Sequence, residues 1–102
     1  MEKNRDTIEI INIAVKEKYQ GKGIGKELIL KAIEKARELK YKIIEIGTGN
    51  SSIKQLYIYQ KCGFRIEEID FDFFRDNYKE PIYEDGNECR DMIRLRMHLD
   101  NL

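Results

Sequence analysis

The chain has 102 residues, 41% hydrophobic and 37% charged, and its 19 Lys and Arg balance 19 Asp and Glu. That composition suits a single small domain over residues 1–102 with one core, and it excludes a disordered chain. No apolar run reaches membrane-spanning length and residues 1–20 lack an apolar signal segment, so a cytoplasmic protein without a membrane partner is expected. Cys62 and Cys89 are too few for a disulfide framework and lack metal-ligand spacing, so free thiols and no metal are expected.

In chain order, the β-branched run around residues 7–15 reads as a strand, apolar at most positions on both sides and so covered on both faces. Gln20-Gly21-Lys22-Gly23-Ile24-Gly25 follows, and then a helix from Lys26 to Lys40. Ile24, Leu28, Ile29, Ala32, Ile33, Ala36 and Leu39 recur at spacings of three and four, predicting one buried stripe. Lys31, Glu34, Lys35 and Glu38 lie opposite, in water. Lys42 to Gly47 reads as a second strand, broken by Gly47-Thr48-Gly49-Asn50, and strand, helix, strand implies parallel pairing. Ser51 or Ser52 can cap a second helix over 52–62, ended by Gly63, with Ile53, Leu56, Tyr57 and Tyr59 as its apolar positions. Phe64 to Ile69 is a third strand. Phe71, Phe73, Phe74, Tyr78 and Tyr83 mark residues 70–88 as a packed insertion. In the last strand Ile93, Leu95, Met97 and Leu99 face one way, and Arg94, Arg96 and His98 the other. His98, the only histidine, is read as solvent-facing.

Charge is uneven along the chain. Residues 16–42 carry nine Lys/Arg against four Asp/Glu, and residues 67–91 three against ten. The basic residues alternate with Glu on a helix and have no aromatic platform among them, which argues against a nucleic-acid partner.

Three glycines within residues 21–25 let the backbone turn sharply and approach a ligand. The helix start beyond them adds unpaired N–H groups and the positive end of its dipole, a site for a phosphorylated ligand. Lys22 and Lys26 flank that turn and would attract phosphates.

The pattern resembles the GCN5-related N-acetyltransferases (GNAT). Their acetyl-CoA signature, Gln or Arg, two residues, Gly, one residue, then Gly or Ala, is matched by Gln20, Gly23 and Gly25. A second hallmark, a helix ending in Tyr followed by Gly-Phe, is matched by Tyr59-Gln60-Lys61-Cys62-Gly63-Phe64. The resemblance implies a mixed-sheet α/β (α+β) fold, in the order β-α-β-α-β-β, that lacks the family's N-terminal strands. It further implies that backbone groups of Ile13, Ala14 and Val15 pair with the pantetheine arm of acetyl-CoA, the co-substrate, and that N–H groups from Gly21 to Lys26, Ile24 included, hold the pyrophosphate. A strand N–H near Val15 would polarise the thioester carbonyl. Tyr59 would donate a proton to the departing CoA thiolate, and Glu9 falls where histone-type members place a general base. The family's CoA-contacting Asn, seven residues before the Tyr, is here Ser52, with Asn50 two residues earlier.

The function implied is transfer of an acetyl group from acetyl-CoA to a primary amine by direct attack; the alternative is a CoA-binding or regulatory half-domain without transferase activity. The acidic segment 67–91 favours a cationic amine. With the preceding strands missing, the 7–15 strand would be an open sheet edge, which predicts a homodimer or a partner that covers it.

Overall fold

The computed structural model describes residues 2–10 and 24–99. The elements are β1 (Thr7–Ile10), α1 (Ile24–Glu38), β2 (Ile43–Gly49), α2 (Ile53–Lys61), β3 (Arg65–Asp70), α3 (Phe73–Asn77), β4 (Ile82–Glu84), β5 (Asn87–Cys89) and β6 (Met92–His98). A four-stranded sheet has the order β1-β2-β6-β3, and β4 and β5 form a separate hairpin. β1 and β2 are parallel, as expected, and β3 and β6 antiparallel. Residues 11–15 of the expected first strand lie outside the described residues. Contacts divide the chain into two compact units, Met1–Ile46 with Met97–Leu102, and Gly47–Arg96.

The first unit is built on α1. Ile29, Ile33 and Ala36, one line at spacings of four and three, are buried, as are Ile44, Ile46 and Leu99. The buried stripe is narrower than expected: Leu28 is 44% and Leu39 54% exposed. Leu28 sits about 100° round the helix from Ile29, and Leu39 falls beyond its last residue. There Tyr41 N–H donates to Ala36 O and Lys40 N–H to Arg37 O, the double bond of a Schellman stop. Lys40 takes the left-handed position, φ 63°, that glycine occupies most readily. Glu27 in the first turn and Lys35 and Arg37 in the last complement the helix dipole. Ahead of β1, Asn4 Oδ1 accepts from the N–H groups of Asp6 and Thr7 (2.9 and 3.0 Å), and this tight turn sets the Lys3 ammonium on the buried Glu45 carboxylate.

In the second unit β6 alternates as expected, with Ile93 and Leu95 buried. Arg94 and Arg96 pair with acids of neighbouring β3: Arg96 Nη2 lies 2.6 Å from Glu68 and Arg94 Nη2 3.6 Å from Asp70. Contrary to the expected break, β2 continues through Gly47 and Gly49. A Cβ on Gly47 would come within 2.9 Å of Met92 Sδ, and one on Gly49 would overlap Cys89 Sγ and touch the Phe74 ring. These glycines allow close packing on a continuing strand. Residues 70–88 hold α3 and the hairpin, whose turn, Asp85 (φ 52°) and Gly86 (φ 82°), has the two positive φ values of a type I′ turn. Phe73 and Phe74 meet edge to face at 5.1 Å. Tyr78 stacks on Phe74 at 5.9 Å, while Phe71 and Tyr83 are 70% and 65% exposed, so three of the insertion's five rings pack on one another. On α2, Ile53 and Tyr57 are also exposed rather than packed. No described helix is long and apolar enough to cross a membrane.

The clash at Gly49 yields a test. Gly49→Ala should lose about 1–3 kcal/mol in urea unfolding, the range for overpacking. Adding Cys89→Ala should recover about 1 kcal/mol relative to the sum of the single changes. Strict additivity would show that the sulfur does not confine that glycine.

Candidate functional site

The stretch around α2 is held by side chains that reach across sequence. Asn50, just after β2, accepts at Oδ1 from Arg90 N–H (2.7 Å) and Asp91 N–H (2.9 Å) and donates from Nδ2 to Glu88 O (3.1 Å). Three bonds from one amide clamp the 88–91 segment to the end of β2. Ser52 is the N-cap of α2, yet its hydroxyl makes no cap bond. It donates instead to Glu84 Oε1 at 2.8 Å, and Ser51 donates to the same oxygen at 3.1 Å. The two candidates for the family's CoA-contacting Asn, Asn50 and Ser52, thus both have side chains bonded within the protein.

Tyr59 lies in the last turn of α2 and is 7% exposed. What fixes it is the way the helix stops. Phe64 N–H donates to Tyr59 O and Gly63 N–H to Gln60 O, both at 3.0 Å, with Gly63 left-handed at φ 107°. This is a Schellman motif in which Tyr59 occupies C3, Gly63 C′ and Phe64 C″; an apolar contact between C3 and C″ accompanies such stops. The Tyr59 and Phe64 rings lie 6.4 Å apart and tilted by 60°. The spacing Tyr, three residues, Gly, Phe is therefore a folding instruction as well as a motif. Burial pushes the Tyr59 phenol above the ordinary tyrosine value, so it is protonated throughout the neutral range. Its neighbour Tyr57 points to solvent and accepts a hydrogen bond from Lys61 Nζ at 3.0 Å.

In the first unit, Glu9 is half-buried on β1 and stands in register with Glu45 on β2. In a parallel pair such residues share one face about 5 Å apart. Glu45 is 1% exposed, and a charged residue inside the apolar run Ile43-Ile44-Glu45-Ile46 was the available signal for it. Glu84 carried no local signal, since its partners are 32 and 33 residues away. Of the expected phosphate-binding residues, Ile24, Gly25 and Lys26 lie in the first described turn of α1, with Gly25 half-buried and Lys26 exposed. Ile13, Ala14, Val15, Gln20, Gly21, Lys22 and Gly23 lie outside the described residues. His98 is exposed, Cys62 half-buried and Cys89 buried. Among the described residues no three His, Cys, Asp or Glu gather to hold a metal.

Comparison with known proteins places this stretch. The model of the acetyltransferase (GNAT) family matches residues 1–64, ending on Phe64 of the Schellman stop. The chain belongs to the GNAT family. It is 63% identical over 93 residues to the uncharacterized N-acetyltransferase YvbK of Bacillus subtilis (strain 168), covering 91% of this chain and 60% of that one. A Bacillus subtilis acetyltransferase solved in complex with CoA superposes with a TM-score of 0.90 at 63% identity, over 92% of this chain and 62% of its own. A GNAT acetyltransferase of Elizabethkingia anophelis, solved with acetyl-CoA bound, gives 0.93 at 56% identity, over 96% and 64%. The chain thus spans a little under two thirds of the length of these relatives.

Gly63→Ala tests the stop that holds Tyr59. An L side chain at φ 107° should lower stability by about 1–2 kcal/mol and shift the Tyr59 and Phe64 ring resonances in NMR spectra. Unchanged ring shifts and an unchanged unfolding midpoint would mean that the motif does not set the ring.

Proposed function

We propose that the protein transfers an acetyl group from acetyl-CoA to a primary amine. What carries this reading is the likeness, at a TM-score of 0.93 and 56% identity, to a GNAT acetyltransferase with acetyl-CoA bound. The signature Gln20, Gly23 and Gly25 supports pyrophosphate binding by N–H groups from Gly21 to Lys26, and the strand residues Ile13, Ala14 and Val15 are assigned to the pantetheine arm. The neutral amine attacks the thioester carbonyl, the C–N bond forms, and the C–S bond breaks to release CoA thiolate. The arriving ammonium first gives one proton to Glu9 through water, and the second proton, which the nitrogen loses after attack, passes to solvent. Holding both reactants in line provides most of the acceleration.

Tyr59 is assigned to the departing sulfur. Its phenol titrates above the usual value of 10.0, and a thiol near 8.5, so complete proton transfer to the thiolate is uphill. Its contribution is a hydrogen bond from the hydroxyl to the sulfur as negative charge develops there, and the thiolate takes its proton from solvent afterwards. The acidic stretch 67–91 favours an amine that arrives as a cation. Among the described residues β1 stands at one edge of the sheet, where Glu2 bridges Ile8, and we assign a second copy of the chain, or another strand-bearing partner, to the rest of that edge in a cytoplasmic protein.

Release of CoA thiol in the presence of an amine panel tests the assignment. Tyr59→Phe, which removes the hydrogen bond to the developing thiolate, should slow turnover about 100-fold. The competent form of Tyr59 is the protonated one and its pKa is raised, so the wild-type alkaline limb should lie above pH 10 and vanish in the variant. Equal rates for the two proteins would remove Tyr59 from the reaction; no thiol release with any amine would leave a CoA-binding protein without transferase activity.

A further inference from the structure

The second unit contains a cavity of about 320 Å³ that none of the roles above uses. Its apolar lining is Phe74, Tyr78, Pro81, Ile82 and Tyr83, and Cys89 forms part of its wall. Phe74 and Tyr78, one turn apart on and just after α3, stack at 5.9 Å with their planes 25° apart, and both rings line the cavity. Tyr78 is 53% and Tyr83 65% exposed. Rings left open around a concavity retain an apolar surface that a ligand would cover.

Charge narrows the ligand. The lining carries two cations, Arg75 and Lys79, and two anions, Glu80 and Glu88. Arg75 grips Glu88 with a fork, Nε to Oε2 and Nη2 to Oε1, both 2.7 Å, so these two charges cancel at the wall. Arg75 holds the Glu88 carboxyl below its ordinary value, and the pair therefore persists into mildly acidic solution. A polyamine would bring a second ammonium and find, outside the Arg75–Glu88 pair, only the exposed carboxylate of Glu80 in the wall. An uncharged flat ring finds aromatic faces. The volume is about twice the ~150 Å³ that accepts one benzene ring in a protein interior, enough for a phenyl group with a short arm.

The cavity also lies beside the strand end that leads to Tyr59. Cys89 and Phe74 both pack on Gly49, the last residue of β2, and Asn50 clamps the backbone on either side of Cys89 before α2 begins. In open α/β sheets ligands bind beyond the carboxyl ends of parallel strands. We infer that this cavity seats the aromatic end of the acceptor, which makes the acceptor an arylalkylamine. The inference rests on the transferase reading for the fate of the amine, whereas binding of the ring does not depend on it.

The test is titration of the 102-residue protein with 2-phenylethylamine and, separately, spermidine, followed by backbone amide shifts. Phenylethylamine should move the amides of Phe74, Tyr78, Tyr83 and Cys89 and saturate with a Kd on the order of 1 mM. Spermidine should not move them. Tyr78→Ala/Tyr83→Ala should still fold cooperatively, with an unfolding midpoint lowered only by the lost Phe74–Tyr78 stack, and bind phenylethylamine at least about tenfold more weakly. Spermidine shifts at the same amides, phenylethylamine shifts confined elsewhere, or no saturation by about 20 mM would overturn the inference. If acetyl-CoA binds and another amine is acetylated while these amides stay still, the inference falls and the transferase reading stands. If phenylethylamine saturates the cavity and no amine is acetylated, the cavity assignment stands and the transferase reading falls.

Discussion

Two backbone hydrogen bonds at the end of α2 determine where Tyr59, the most buried tyrosine among the described residues, sits. Phe64 N–H to Tyr59 O and Gly63 N–H to Gln60 O close the helix, and only the left-handed Gly63 lets both form together. The same stop turns the chain so that Phe64, 2% exposed, enters the core of its unit and rests beside the Tyr59 ring. The position of Tyr59, its burial and its raised pKa all follow from that geometry. β3 starts one residue later, so the stop also sets the register in which Arg65–Asp70 meets β6.

A second constraint is the close packing at the end of β2. Gly47 and Gly49 leave room for Met92, Cys89 and Phe74, and Asn50 then ties the 88–91 backbone in place. Glu84 on the hairpin accepts from both Ser51 and Ser52 at the start of α2. The hairpin is thereby fixed to the helix that carries Tyr59, and the cavity walled by Phe74 and Tyr78 takes its shape from the same attachments.

Much of this was legible in the sequence because its causes are local. The alternation of Ile93, Leu95 and Leu99 with Arg94 and Arg96, the spacing of Ile29, Ile33 and Ala36, and the Tyr-to-Gly-Phe interval each encode their own structure within a few residues. Asp85-Gly86 is an equally local hairpin signal, inside the stretch 70–88 expected as a packed insertion. Other features could not be read locally. Gly47 and Gly49 look like strand breakers until Met92 and Cys89, some forty residues on, are seen against them. The bonds that Asn50 and Ser52 make to Arg90, Asp91 and Glu84 join residues more than thirty apart in the chain. Leu28, Leu39, Phe71 and Tyr83 are apolar by type, and only the folded surface shows that nothing described covers them.

The central claim is that this chain binds acetyl-CoA as a GNAT protein does. Calorimetric titration with acetyl-CoA, with light scattering on the same sample, tests it most directly. Binding with a micromolar Kd, about −8 kcal/mol, by a particle of twice the 12.2 kDa chain mass is the predicted result. No heat of binding at millimolar acetyl-CoA would contradict the account.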